Sequence, residues 1–96
     1  MFVINLTYIV ELDQVDPHLE AHISYLKQQY QQGHFIASGR KVPRTGGLIL
    51  SNLTDRAQLD NILSQDPFHI HQLAQYDIIE FIPSMTSPEL AFLQNQ

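Results

Sequence analysis

Two residues of this 96-residue chain, His22 and Asp66, have the types and settings needed to move a proton. Imidazole changes charge near neutral pH, which makes histidine the usual side chain for general acid or base work. His22 lies three residues after Leu19 and four before Leu26, so on a helix it sits beside the apolar stripe, at the edge of the core. A histidine there also has a plainer reading, as a hydrogen-bonded boundary residue. Asp66 stands in Ser64-Gln65-Asp66-Pro67-Phe68-His69-Ile70-His71. An Asp before Pro commonly begins a helix, the carboxylate capping free N–H groups while Pro suits the first turn. The two roles are compatible, since a carboxylate can accept from the backbone through one oxygen and orient an imidazole with the other. The expected geometry has Asp66 beginning a short helix and facing His22 across a small pocket.

Other polar residues are candidates for holding a ligand. Arg44 and Arg40 fall in a loop between two short strands, where a guanidinium fork can hold a carboxylate, phenolate or phosphate, with Arg44 ahead of Arg40. Solvated loop arginines are the ordinary alternative. Ser38 can donate to a substrate oxygen, or can simply belong to the turn at Gly39. His69 and His71, with His34, supply three nitrogens on paper for zinc. Residues two apart on a helix point in different directions, so no metal site is expected. Gly46-Gly47 lacks the Lys and following helix of a phosphate loop, and no serine sits in a nucleophile elbow.

The composition narrows the partners. A formal charge of -5 with five Lys plus Arg offers no basic stripe for a phosphate backbone, so nucleic acid is not an expected partner. The absence of cysteine excludes a disulfide framework, thiolate catalysis and Cys-ligated zinc. The N-terminal residues lack the basic start and long apolar core of a signal peptide, and no apolar run reaches the roughly 20 residues of a membrane span. A cytoplasmic protein without membrane contact is expected.

The positioning elements follow from periodicity. Phe2, Ile4, Leu6, Tyr8 and Val10 alternate with Val3, Asn5, Thr7 and Ile9, which predicts a strand. Asp16 and Pro17 read as a cap and first turn for a helix over residues 17–32, with Leu19, Ile23, Leu26 and Tyr30 inward and Gly33 ending it. Residues 34–39 and 47–50 predict two strands. Thr54 is expected to cap a second helix running to Ser64, with Leu59, Ile62 and Leu63 inward. Tyr76 to Ile82 alternates again before Pro83, and Ser87-Pro88 opens a short terminal helix. The order is βαββαβ, an α+β ferredoxin-like arrangement whose four-stranded antiparallel sheet carries both main helices on one face. One domain over residues 1–96 is expected, with its core at about 1–83 and a helical tail at 87–96.

Several of these segments taken together resemble the YciI-like (YCII-related) family. They are Leu19 to Leu26 with His22, then Tyr30, Gly33, Phe35, Ala37-Ser38-Gly39, Pro43 to Gly47, Asp66-Pro67-Phe68 and Tyr76 to Phe81. The resemblance implies a dimeric α/β barrel and a site built on His22 and Asp66; Ser38, Gly39, Arg44 and Phe68 are expected to bind substrate beside them. It also implies lyase or dehalogenation chemistry on small oxygenated rings for some relatives. Two departures stand out. Many relatives have Pro where this chain has Arg40, and small residues where it has His69, Ile70, His71 and Gln72.

Two functions remain open on this reading. One is a cofactor-independent enzyme of lyase or isomerase type, in which His22 takes or gives a proton, Asp66 fixes its tautomer and Ser38 or Arg44 steadies an anionic oxygen. The other is a non-catalytic module binding a small metabolite or a protein partner. In either case the expected ligand is a small molecule that can be anionic. Val3, Ile9, Ile79 and Phe81 oppose Ile4, Leu6, Ile78 and Ile82 across the strands, so both sheet faces need cover and a homodimer is expected.

Overall fold

The computed structural model describes residues 1–95, and its elements are set mainly by which stretches can bury one apolar face. Strand β1 (Phe2–Tyr8) buries Phe2, Ile4 and Leu6 on one side, as its alternation requires. Helix α1 (Leu12–Val15) and a 3-10 turn (Asp16–His18) lead into α2 (Leu19–Gln31). Then come β2 (Ala37–Arg40), β3 (Gly46–Ser51), α3 (Arg56–Leu63), α4 (Pro67–Ile70) and β4 (Ala74–Glu80). A 3-10 segment over Pro88–Leu93 closes the chain. The four strands form one antiparallel sheet in the order β2-β3-β1-β4. This is the ferredoxin-like α+β fold.

One face of the sheet is the core. Phe2, Ile4, Leu6 and Ile49 form its floor, and Tyr25, Leu59, Ile62, Leu63 and Phe68 cover it from the helices. Burying a side chain such as Phe68, which is 1% exposed, contributes about 1.5–3 kcal/mol. On the other face, Ala37, Leu50, Val3 and Ile79 stand in register across all four strands, and Ile79 is 60% exposed.

The chain contains two Asp-Pro dipeptides, and only one behaves as a cap. Asp66 has extended backbone (φ -66, ψ 128) and its side chain accepts from the Phe68 N–H. Asp16 is already helical (φ -56, ψ -38), and its own N–H is bonded to the Leu12 carbonyl. The helix expected over residues 17–32 therefore begins at Leu19 after an earlier helical turn, and the Asp16 side chain is free to bond elsewhere. At the other end Gly33, with φ 76, terminates α2 in the left-handed conformation as its sequence suggests.

The second helix is capped by Asp55, whose carboxylate accepts from the Ala57 N–H, and not by Thr54. Strand β4 lies two residues earlier than the alternation from Tyr76 to Ile82 predicts. Its partner β1 starts at Phe2, opposite Glu80, so Phe81 makes a last bond to the Met1 carbonyl and Ile82, expected inside, is left 69% exposed.

Gly46 carries a strict packing demand: a Cβ there would come within 1.8 Å of the Leu6 carbonyl oxygen of the adjacent strand. Gly46→Ala is expected to cost about 2 kcal/mol or more, because β3 must shift away from β1. Gly33→Ala, in open space but at positive φ, should cost about 1 kcal/mol. Urea denaturation of both variants checks the order.

Candidate active site

The Asp66 carboxylate is completely buried, and three donors from three elements converge on it. The Phe68 N–H of α4 donates to Oδ1 at 3.0 Å. The Tyr76 hydroxyl of β4 donates to Oδ2 at 2.6 Å. His22 Nδ1 of α2 lies 2.7 Å from Oδ1. Three donors aimed at one carboxyl group suit an ionised acceptor, which has no proton to offer. An Nδ1–H donated to Asp66 leaves Nε2 as the basic nitrogen.

The remaining freedom of the imidazole is removed by stacking. The His22 and Phe68 rings lie 3.9 Å apart between centroids and 3° from parallel. Phe68 is in turn held edge-on by Tyr8 at 5.9 Å. No buried side-chain nitrogen or oxygen among the described residues lacks a partner, so Nε2, which makes no protein hydrogen bond, is open to solvent.

His22 lines a cavity of about 440 Å³ between α2 and the β2–β3 side of the sheet, within the range of small-molecule sites. The cavity exists because the sheet's floor lacks side chains there. Gly47 stands between Leu6 and Arg40 in the register, and nothing projects from it. Leu19, Ile23, Leu26 and Ile49 make much of the wall apolar.

Ser38, Gly39, Arg44 and Phe68, the residues expected to bind substrate, all line this cavity with His22. Asp66 does not. It touches His22 directly from behind, so the pocket lies beyond the imidazole and not between the two residues. The Arg44 guanidinium is bonded to the liberated Asp16 carboxylate at 2.7 Å, and this bond raises its already high pKa further. Arg40 lines the same cavity and makes no ion pair among the described residues. The Ser38 hydroxyl is hydrogen-bonded to the Tyr30 hydroxyl.

The remaining histidines are dispersed. His34 Nδ1 bonds Gln29 Oε1 at 2.7 Å, His71 stacks on His18 at 4.1 Å, and His69 meets the Tyr76 ring edge-on at 5.5 Å. Among the described residues no three potential ligands are grouped for a metal ion. No helix among them is long and apolar enough to cross a membrane.

Tyr76 is the contact that periodicity alone does not single out, although a signal exists. It shares the inner face of β4 with Ile78, and a tyrosine hydroxyl carried inward needs an acceptor. Tyr25 likewise donates to the Ile62 carbonyl at 2.8 Å. Burial, reinforced by the Asp66 charge, pushes both hydroxyls well above their ordinary value of 10.0.

Fold and cavity together define a small ferredoxin-like α+β protein with a histidine-carboxylate contact at its pocket. The chain belongs to the YCII-related domain family, whose family model matches residues 1–82. Among solved structures it is similar to 5-chloro-2-hydroxyhydroquinone dehydrochlorinase from Burkholderia phenoliruptrix in complex with 2,5-dihydroxybenzoquinone. That likeness has a TM-score of 0.72 at 16% identity and covers 83% of this chain and 91% of the other, which shows a shared fold. No protein of curated function matches in sequence.

The two raised tyrosines give stability a sign with pH. Above about pH 10 the unfolded chain releases these protons while the folded chain keeps them, so stability is full below that point and falls as pH rises. The loss should approach about 1.4 kcal/mol per pH unit for each tyrosine. Urea denaturation from pH 8 to 11.5 checks this, and Tyr76→Phe is expected to flatten the slope by one such increment.

Proposed function

We propose that the cavity binds a small oxygenated organic molecule and that His22 Nε2 moves a proton on it without a cofactor, in a lyase or isomerase type of reaction. The observation that carries this reading is the His22–Asp66 contact, which leaves the basic nitrogen toward solvent at the pocket and the counter-charge behind it. Nε2 takes a proton from carbon next to a carbonyl, and the C–H electron pair moves into that carbonyl to give an enolate. Asp66 stabilises the resulting imidazolium. Returning the proton at a different carbon gives an isomer. Expelling a group from the neighbouring carbon completes an elimination.

The enolate oxygen needs a donor. Ser38 and Tyr30 have two hydroxyl protons between them and use one in their mutual bond, which leaves the other for a ligand. The related dehydrochlorinase supports the reaction class, since its name describes loss of HCl from a chlorinated hydroxyhydroquinone and its complex holds a dihydroxybenzoquinone.

We also propose that the chain is a homodimer joined through the outer sheet faces. The apolar row Ala37, Leu50, Val3 and Ile79 supports this, with Leu48 at 42% exposure beside it. Light scattering at micromolar concentration is expected to give twice the chain mass, and Ile79→Arg to give a monomer.

Deuterium exchange from solvent into small keto and enol acids, followed by NMR, tests the chemistry whatever the eventual product. Halogenated aromatic acids can be screened in parallel for halide release. His22→Gln should abolish exchange. Asp66→Asn should lower it by about a hundredfold with folding retained. The amide oxygen stays at the Oδ1 position, where the Phe68 N–H demands an acceptor, and the Tyr76 hydroxyl can turn to accept from the amide NH2. The imidazole tautomer then survives, and the lost activity measures the lost charge. Ligand binding with no exchange or elimination in the wild type would assign the cavity to a non-catalytic binding module.

A further inference from the structure

The charge inventory of the cavity is opposite to that of the chain. The protein carries ten acidic residues against five Lys plus Arg. Yet the lining holds two of those five cations, Arg40 and Arg44, and no carboxylate. Arg44 is neutralised by Asp16. Arg40 has no carboxylate partner among the described residues, and this leaves one guanidinium on the lining free of an ion pair.

The register explains why Arg40 is available. It lies on the helix-facing side of edge strand β2, in line with Gly47 and Leu6, and Gly47 puts no side chain between them. Ser38 lies two residues earlier on the same face. His22 comes from α2, across the cavity. A ligand whose anionic group sits at Arg40 therefore spans from the sheet edge toward His22, past walls of Leu and Ile.

We infer that Arg40 is the specificity-determining anchor of this site and that it selects monocarboxylates with a compact apolar body. The inference rests on the proposed acid/base reading only for the use of the site, and not for the binding itself. One free guanidinium matches one negative charge and presents paired N–H donors to the two oxygens of a carboxylate. A phosphate dianion would need a second free cation, and Arg44 is already committed. The apolar walls take the remainder of the ligand, and the guanidinium supplies the local attraction for its anionic end.

Calorimetric titration with trans-cinnamate, its neutral amide and phenyl phosphate tests the assignment. Cinnamate should bind ten- to a hundredfold more tightly than the amide, about the range of a charge-assisted bond. Arg40→Gln should erase that preference, and Arg40→Lys should restore part of it. Arg44→Gln should leave most of it in place. The same preference is read on His22→Gln, which keeps the Arg40 charge while removing the proposed base, so failure of the chemistry and failure of this inference are distinguishable. Equal binding of acid and amide, an unchanged preference in Arg40→Gln, tighter binding of phenyl phosphate, or no binding at millimolar concentration would each overturn it.

Discussion

A carboxylate with no access to water sets the terms for this fold. Burying an ionised group costs several kcal/mol unless its oxygens are fully bonded, and Asp66 meets that requirement only when α2, α4 and β4 are all in place. The bond to His22 is long-range in sequence, since His22 and Asp66 are 44 residues apart. Losing any one donor leaves the remaining arrangement with an under-satisfied charge, so the three elements are coupled more strongly than their apolar contacts alone would make them.

This coupling explains how one short segment holds both a helix start and a polar cluster. Asp66 Oδ1 serves the backbone and the imidazole together, while Oδ2 is left to Tyr76. The short helix that Asp66 begins delivers Phe68, whose ring stacks on His22. A four-residue helix with little stability of its own is thus held by the side chains it presents.

Periodicity and cap chemistry carried most of the fold. The alternation in β1 and the glycine after α2 are legible because each reports a local rule about burial or backbone, whereas α2 buries His22, Tyr25 and Gln29 and leaves Ile23 and Tyr30, expected inward, 42% and 38% exposed. Sequence and structure part where tertiary context chose between locally equivalent options. Asp16-Pro17 and Asp66-Pro67 are indistinguishable as dipeptides, and each follows a helical turn, but Asp16 continues that turn with ψ -38 while Asp66 leaves it with ψ 128 and is free to cap the next one. Leu12, Val15 and Leu19 carry the spacing of that earlier turn, with Val15 fully buried. The contact between His22 and Asp66 was legible only as compatible roles plus a family resemblance, since no local pattern fixes where two elements meet. The pairing of Arg44 with Asp16, which leaves Arg40 as the cavity-lining cation without an ion pair among the described residues, depends on that same early turn.

Sharing one carboxylate between architecture and chemistry also affects how substitutions would accumulate in such a chain. A lineage that abandoned proton transfer would still need Asp or Asn at position 66, because the α4 cap and the Tyr76 hydroxyl depend on a polar side chain of that shape. His22 can be exchanged only for a side chain that packs on Phe68 and still donates to Asp66, a demand that does not require an imidazole. A capping side chain at position 66 is therefore a marker of the fold, and the histidine is the residue whose loss would record a change of trade.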